Sequence, residues 1–259
     1  HAGAVFLVDM SYLRRSNVQI DVLFTSREAT YTSLQGRTAV IIDVLRATTT
    51  IAAALSRGAV AVYPVADLEA ARRRAQEGDG MILGGERGGL PPEGFHAGNS
   101  PLEYTAELAS DRTIVFTTTN GTLAISRALA AGASGLATGA LVNAAAVSRW
   151  AVERGASLTL ICAGTEERFT LEDAVGAGCI IAEVACIAPD VELTDAAVAA
   201  RQLWSRYAEE PMRSFADSAH GRRLLELGFG ADLRYCAAVN RLSVTPVWTG
   251  DRLVPERRA

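Results

Sequence analysis

Short branched apolar runs alternating with alanine-rich stretches constrain this chain more than any other feature. The run Ala39-Val40-Ile41-Ile42 is continuous rather than alternating, which suits a strand covered on both faces, as in a parallel sheet. Strands are expected over residues 18–24, 38–43, 60–65, 81–84, 113–118 and 157–162. Helical patterns lie between them over 48–56, 68–77, 101–109, 121–131 and 141–154. Parallel neighbours need crossover connections, usually helices, so the alternation implies a layered α/β/α architecture with a largely parallel sheet. After Thr170 the pattern becomes helix-rich, with helices expected over 171–187, 195–208, 212–227 and 231–239 and a late strand over 243–248. This C-terminal third reads either as a helical subdomain beginning near residue 171 or as the outer layer of one domain. Residues 1–16 read as an N-terminal extension and 17–259 as a single domain.

Composition excludes several functions. A net charge of −4 from 25 basic and 29 acidic residues, with 6% aromatics, is unsuited to nucleic-acid binding. All the basic residues are arginine; lysine is absent. A Schiff-base lysine or the lysine of a Walker-type phosphate loop is therefore impossible. Anions must be held by guanidinium groups, amides, helix ends or metal. The apolar stretch 174–188 is broken by Glu183 and is too short for a membrane span of ~20 residues. Residues His1 to Phe6 show no basic segment leading into an apolar run, and the four cysteines form no CxxC pair. A reduced, cytoplasmic protein is expected, with no membrane partner.

Ligands of open parallel sheets bind beyond the carboxyl ends of the strands, and four strand-to-helix junctions are polar. After the first, Asp43 stands at a strand end, placed to hold a metal or attack an electrophile. Arg46, Thr48 and Thr49 follow at a helix start and suit an oxyanion. Leu45, two residues after Asp43, excludes the haloacid-dehalogenase pattern. The second junction, Gly84-Gly85-Glu86-Arg87-Gly88-Gly89, runs on to Gly98-Asn99-Ser100-Pro101. Its glycines allow close backbone approach, Glu86 and Arg87 offer a metal ligand and an anion clamp, and Asn99 or Ser100 can cap a helix. His96 has no second histidine at ligand spacing and suits a solvated or capping role. The third, Thr117-Thr118-Thr119-Asn120-Gly121-Thr122, has the hydroxyls and turn of an anion nest. The fourth runs from Cys162 to Arg168, then Glu172 and Asp173. Its Cys-to-Arg spacing matches cysteine-dependent phosphatases, yet Glu166 and Glu167 would place negative charge in such a cradle. Glu172 and Asp173 serve either a helix dipole or a metal.

Together these motifs resemble the ComB family, the 2-phosphosulfolactate phosphatases. The likeness runs from about Val18 to about Gly178, with weaker agreement from Asp232 to Val239. It implies a layered α/β fold and a Mg²⁺-dependent phosphatase acting on 2-phospho-3-sulfolactate in coenzyme M biosynthesis, or on a related 2-hydroxy acid phosphate. Under that reading Asp43, Glu86 and Asp173 hold the metal, and Asp43, Arg46, Arg87 and Asn120 are the catalytic set. Thr48, Thr49, Asn99, Ser100, Thr118, Thr119, Gly121, Thr122 and Cys162 bind substrate. The partner is then a small, strongly anionic phosphorylated hydroxy acid, and a homo-oligomer is compatible with the sequence. Two rival readings remain: a silent sensor of phospho-acids, and a phosphatase using Cys162 as a thiolate.

Overall fold

The computed structural model describes residues 18–78 and 80–256; the 1–16 extension lies outside them. The elements run in order β1 (Gln19–Leu23), α1 (Tyr31–Leu34), β2 (Thr38–Ile42), α2 (Ala47–Ser56), β3 (Ala61–Pro64), α3 (Leu68–Ala75) and β4 (Ile82–Gly85). Then come α4 (Ala106–Ala109), β5 (Thr113–Thr117), α5 (Gly121–Ala130), β6 (Gly135–Gly139), α6 (Ala144–Glu153), β7 (Leu158–Cys162) and α7 (Leu171–Ile187). The last third holds β8 (Glu192–Leu193), α8 (Asp195–Tyr207), α9 (Pro211–Asp217), α10 (Ala219–Glu226), α11 (Gly230–Cys236), β9 (Pro246–Trp248) and β10 (Leu253–Pro255). None of the described helices is long and apolar enough to cross a membrane.

One sheet takes the order β4-β5-β3-β10-β9-β6-β2-β7-β1-β8. Strands β4-β5-β3 pair in parallel, as do β6-β2-β7-β1-β8. The β9–β10 hairpin joins the two blocks by antiparallel steps, with single residue pairs at Val62–Leu253 and Ala137–Val247. Three successive antiparallel pairings reverse the strand sense between the blocks. The expected parallel sheet is therefore present as two parallel blocks.

Branched residues on both faces of the strands explain the layers. In β2, Val40 and Ile42 enter one apolar cluster with α6, α7 and α8, while Ala39 and Ile41 enter another with α2 and α5. Phe215, Leu224 and Leu233 of α9–α11 join the first cluster. The C-terminal helices thus pack into the same core as the sheet.

Three departures from the sequence reading bear on function. Strand β6 was not expected, because Gly-Leu-Ala-Thr-Gly lacks a branched run; pairing with β2 makes it a strand. Gly139 is required there, since a Cβ would lie 2.9 Å from both Ile180 Cδ1 and Val40 Cγ1. The helix expected over 101–109 is confined to Ala106–Ala109, with turns before it. The helix expected over 212–227 is two helices. Ser218 turns to extended backbone (ψ 148°), and its Oγ accepts from the Gly221 amide at 2.8 Å, capping α10. Gly176 and Gly178 of α7 serve packing. A Cβ on Gly178 would lie 2.1 Å from the Ala200 carbonyl oxygen of α8.

Candidate active site

A cavity of about 580 Å³ is lined by Asp43, Leu45 and Arg46 after β2, by Glu86 to Gly89 and Asn99 after β4, by Thr119 and Asn120 after β5, and by Thr165 and Glu166 after β7. Four junctions therefore meet at one place, although β4 and β5 belong to one block and β2 and β7 to the other. Contacts between the blocks hold them there. Thr50 Oγ1 of α2 donates to the Asn99 carbonyl at 3.0 Å. Gly121 at the start of α5 lies so close to the first junction that a Cβ would sit 2.6 Å from Ala47 Cβ and 2.8 Å from Asp43 Oδ2.

Asp43 is 7% exposed, and its Oδ1 accepts from the Ala47 amide at 3.1 Å. The acceptor at the α2 N-terminus is thus Asp43 itself. Burial holds its carboxyl well above the ordinary range, reinforced by Asp173 and, more weakly, by Glu86 and Glu172; only the Ala47 amide opposes this. Glu86 braces two loops, Oε2 accepting from the Gly89 amide and Oε1 from the Thr119 amide, both at 2.8 Å.

The two arginines differ in their commitments. Arg46 Nη1 donates to Asp232 Oδ2 of α11 at 2.6 Å, with the side chains 2% and 5% exposed. Its Nη2 donates to the Gly89 carbonyl at 2.9 Å, and Phe229 lies 3.9 Å below the guanidinium. Ser100 Oγ donates to the other Asp232 oxygen at 2.8 Å. Arg87 instead donates to the Glu86 carbonyl at 2.6 Å and to Thr117 Oγ1 at 2.9 Å. No carboxylate forms an ion pair with Arg87 among the described residues. Asn99 is buried, and its Oδ1 has no hydrogen-bond partner there. Asn120 Oδ1 accepts from the Glu166 amide at 3.3 Å, tying the third junction to the fourth.

Several expected site residues point elsewhere. The Thr48 hydroxyl lies 2.9 Å from the Asp43 carbonyl and 2.8 Å from the Gly139 carbonyl, and Thr49 Oγ1 donates to the Val44 carbonyl at 2.9 Å. Both side chains are fully buried structural braces, because short hydroxyls in a first helical turn reach back to local carbonyls. Ser100 serves Asp232 and does not line the cavity. Thr118 and Thr122 bond each other across the turn and face a neighbouring cavity. Gly121 contributes by its missing side chain. Asp173 accepts from the Val44 amide at 2.9 Å, the Gly164 amide at 3.1 Å and Thr170 Oγ1 at 2.8 Å. These three donors occupy its oxygens, and it too stands outside the lining. Cys162 is fully buried, and burial, with Asp173 and other carboxylates, pushes its thiol well up, the opposite of an activated thiolate. His96 Nδ1 accepts from the Leu83 amide at 2.9 Å, a local cap.

A further wall comes from α10: His220, Arg223 and Leu224, with Leu227 just after it. Sequence reasoning missed this wall. His220 Nε2 lies 3.0 Å from the Leu45 carbonyl, and burial lowers its basicity. The one available signal was the spacing of 220, 223, 224 and 227 on a single helical face.

Among the described residues no group of three or more His, Cys, Asp and Glu side chains is disposed to hold a metal ion. Magnesium, however, is commonly bound through one or two carboxylates, waters and substrate phosphate oxygens. Asp43 and Glu86, two buried carboxylates on one cavity, fit that donor set; Asp173 does not add to it.

The sequence profile of the 2-phosphosulpholactate phosphatase family matches residues 23–251. A probable 2-phosphosulfolactate phosphatase of Symbiobacterium thermophilum is 44% identical over 223 residues, covering 85% of this chain and 95% of the relative. Another, from Carboxydothermus hydrogenoformans, is 40% identical, covering 88% and 92%. A third, from Caldicellulosiruptor saccharolyticus, is 39% identical, covering 81% and 88%.

Proposed function

The chain belongs to the 2-phosphosulpholactate phosphatase family, and on that premise we propose that it is a magnesium-dependent phosphatase hydrolysing 2-phospho-3-sulfolactate or a related 2-hydroxy acid phosphate. The observation carrying the reading is the meeting of Asp43, Arg46, Glu86, Arg87, Asn99 and Asn120 in one cavity from three separate junctions.

Hydrolysis of such an ester joins a water oxygen to phosphorus and breaks the bond between phosphorus and the C2 oxygen. That oxygen leaves with a proton as the hydroxyl of the hydroxy acid. The substrate carries about four negative charges near neutral pH, in a protein of net charge −4, so positive potential must be local. Arg87, with no ion-pair partner among the described residues, supplies charge to the phosphoryl oxygens. Arg46 is paired with Asp232 and supplies direction: two of its five N–H groups are committed, and the rest are held in a fixed plane. Asn120 and Asn99 orient the phosphoryl group and the attacking water. Asp43 and Glu86 would hold magnesium, which when bound contributes Lewis-acid neutralisation of the transferring group. Should a covalent intermediate form, Asp43 is the candidate nucleophile.

A panel of 2-phospho-hydroxy acids assayed for phosphate release with Mg²⁺ and with EDTA tests this. Release is expected with Mg²⁺, lost in EDTA and lost in Asp43→Asn with the circular dichroism spectrum unchanged. Cys162→Ser should retain turnover. Activity that survives EDTA and disappears in Cys162→Ser would overturn the reading, and binding of the esters without phosphate release would favour a sensor.

A further inference from the structure

The cavity has two chemically different walls. The wall built by the strand junctions carries Asp43, Glu86 and Glu166 beside Arg46 and Arg87. The wall built by α10 carries one cation besides the weakly basic His220, namely Arg223, alongside apolar Leu224 and Leu227. The two leucines seat this wall on the second junction: a Cβ at Gly89 would meet Leu227 Cδ1 at 3.2 Å and Leu224 Cδ2 at 3.9 Å. The Ser218 break and cap set the orientation of α10, and His220 ties its first turn to the Leu45 carbonyl.

We propose that Arg223 binds a second acid group of the substrate, a carboxylate or sulfonate remote from the phosphate, and so selects phosphate esters of acids over simple phosphate esters. The inference rests on the phosphatase reading of this cavity. Three observations support it. A cavity of about 580 Å³ is in the range of multi-group small molecules and far exceeds a single phosphate. Among the described residues the one ion pair of Arg223 is with Glu226 Oε2, at 3.5 Å, with side chains 62% and 68% exposed; such a solvated pair holds its partners weakly and yields readily to a ligand acid. A guanidinium fork also matches planar carboxylate and three-oxygen sulfonate groups with paired hydrogen bonds. The phosphate falls to Arg87 and the junctions, leaving Arg223 of the α10 wall for the other charge.

The test compares 2-phospho-3-sulfolactate, 2-phospholactate and phenyl phosphate in wild type, Arg223→Gln and Arg223→Lys. In Arg223→Gln the ratio of kcat/KM for 2-phospho-3-sulfolactate to that for phenyl phosphate is expected to fall at least tenfold, with the loss in KM rather than kcat. Arg223→Lys should recover part of it. Calorimetry of sulfolactate and of inorganic phosphate reads binding separately, and the same variant should weaken sulfolactate at least tenfold more than phosphate. An unchanged ratio, or equal weakening of both ligands, overturns the assignment. A wild-type protein that turns over none of the esters defeats the phosphatase reading, while the calorimetry still decides the role of Arg223.

Discussion

Removing the Asp232 carboxylate is the most informative perturbation of this protein. Asp232→Ala leaves the Arg46 guanidinium in a site where its side chain is 2% exposed, with the Gly89 carbonyl and the Phe229 ring as remaining partners. It also strands the hydroxyl of Ser100. Breaking a buried ion pair from one side typically costs about 3–5 kcal/mol, because an uncompensated charge stays behind. At about 2–4 °C per kcal/mol for a chain of this size, the melting temperature should fall by roughly 6–20 °C. Asp232→Asn keeps an acceptor but not the charge and should fall between. The double variant Arg46→Met with Asp232→Leu removes both charges and should unfold within about 2 kcal/mol of wild type, yet lose turnover. Urea unfolding followed by circular dichroism gives the free energies, and phosphate release gives activity. Asp232→Ala should also lower kcat about 100-fold, as expected when a guanidinium drifts by about an ångström. If Arg46→Ala and Asp232→Ala add within about 0.5 kcal/mol in the double variant, the two side chains do not couple and the argument fails.

Other perturbations test other joints of the site. Glu86→Gln turns one amide donor toward a backbone N–H, since both carboxylate oxygens now accept from Gly89 and Thr119; a loss of about 1–3 kcal/mol and faster amide exchange in both loops are expected. Gly121→Ala forces a methyl toward Ala47 Cβ and Asp43 Oδ2; thermal unfolding should show a loss of about 1–3 kcal/mol, and kcat should drop by about tenfold or more. Burial, and then Glu172, push the Asp173 carboxyl up to about 7, whereas an unfolded Asp titrates near ~3.9. The folded state therefore binds more protons between those values. The stability contributed by this group is full below about pH 4 and declines as pH rises toward about 7. Asp173→Asn should flatten that part of the urea-derived stability profile, and an Asp173-dependent rise in stability over the same range would contradict the sign.

Much of the architecture was legible because its signals are local. The continuous branched run at β2 announced a strand covered on both faces, and side-chain chemistry at strand ends marked Asp43, Glu86, Arg87 and Asn120. Strand β6 was invisible for the converse reason: its glycines and alanine earn no intrinsic preference, and neighbouring strands impose the conformation. The split between α9 and α10 followed from one serine whose hydroxyl favours a cap over a helix interior, a choice that a hydrophobic period running through it concealed.

Roles at the site depended on distance through the fold. Residue type marks Thr48, Thr49 and Asp173 as plausible ligands, but what each polar group is committed to is settled by what lies opposite: here the threonine hydroxyls donate to backbone carbonyls, and the Asp173 oxygens accept from two amides and the Thr170 hydroxyl. Arg46 and Asp232 are 186 positions apart, and no periodicity links them. Hydrophobic pattern and end-of-strand chemistry are properties of neighbouring residues and survive in a bare chain. The pairing of charges, the choice of which hydroxyl faces a cavity, and the helical wall bearing His220 and Arg223 arise only when packing brings remote segments within hydrogen-bonding reach.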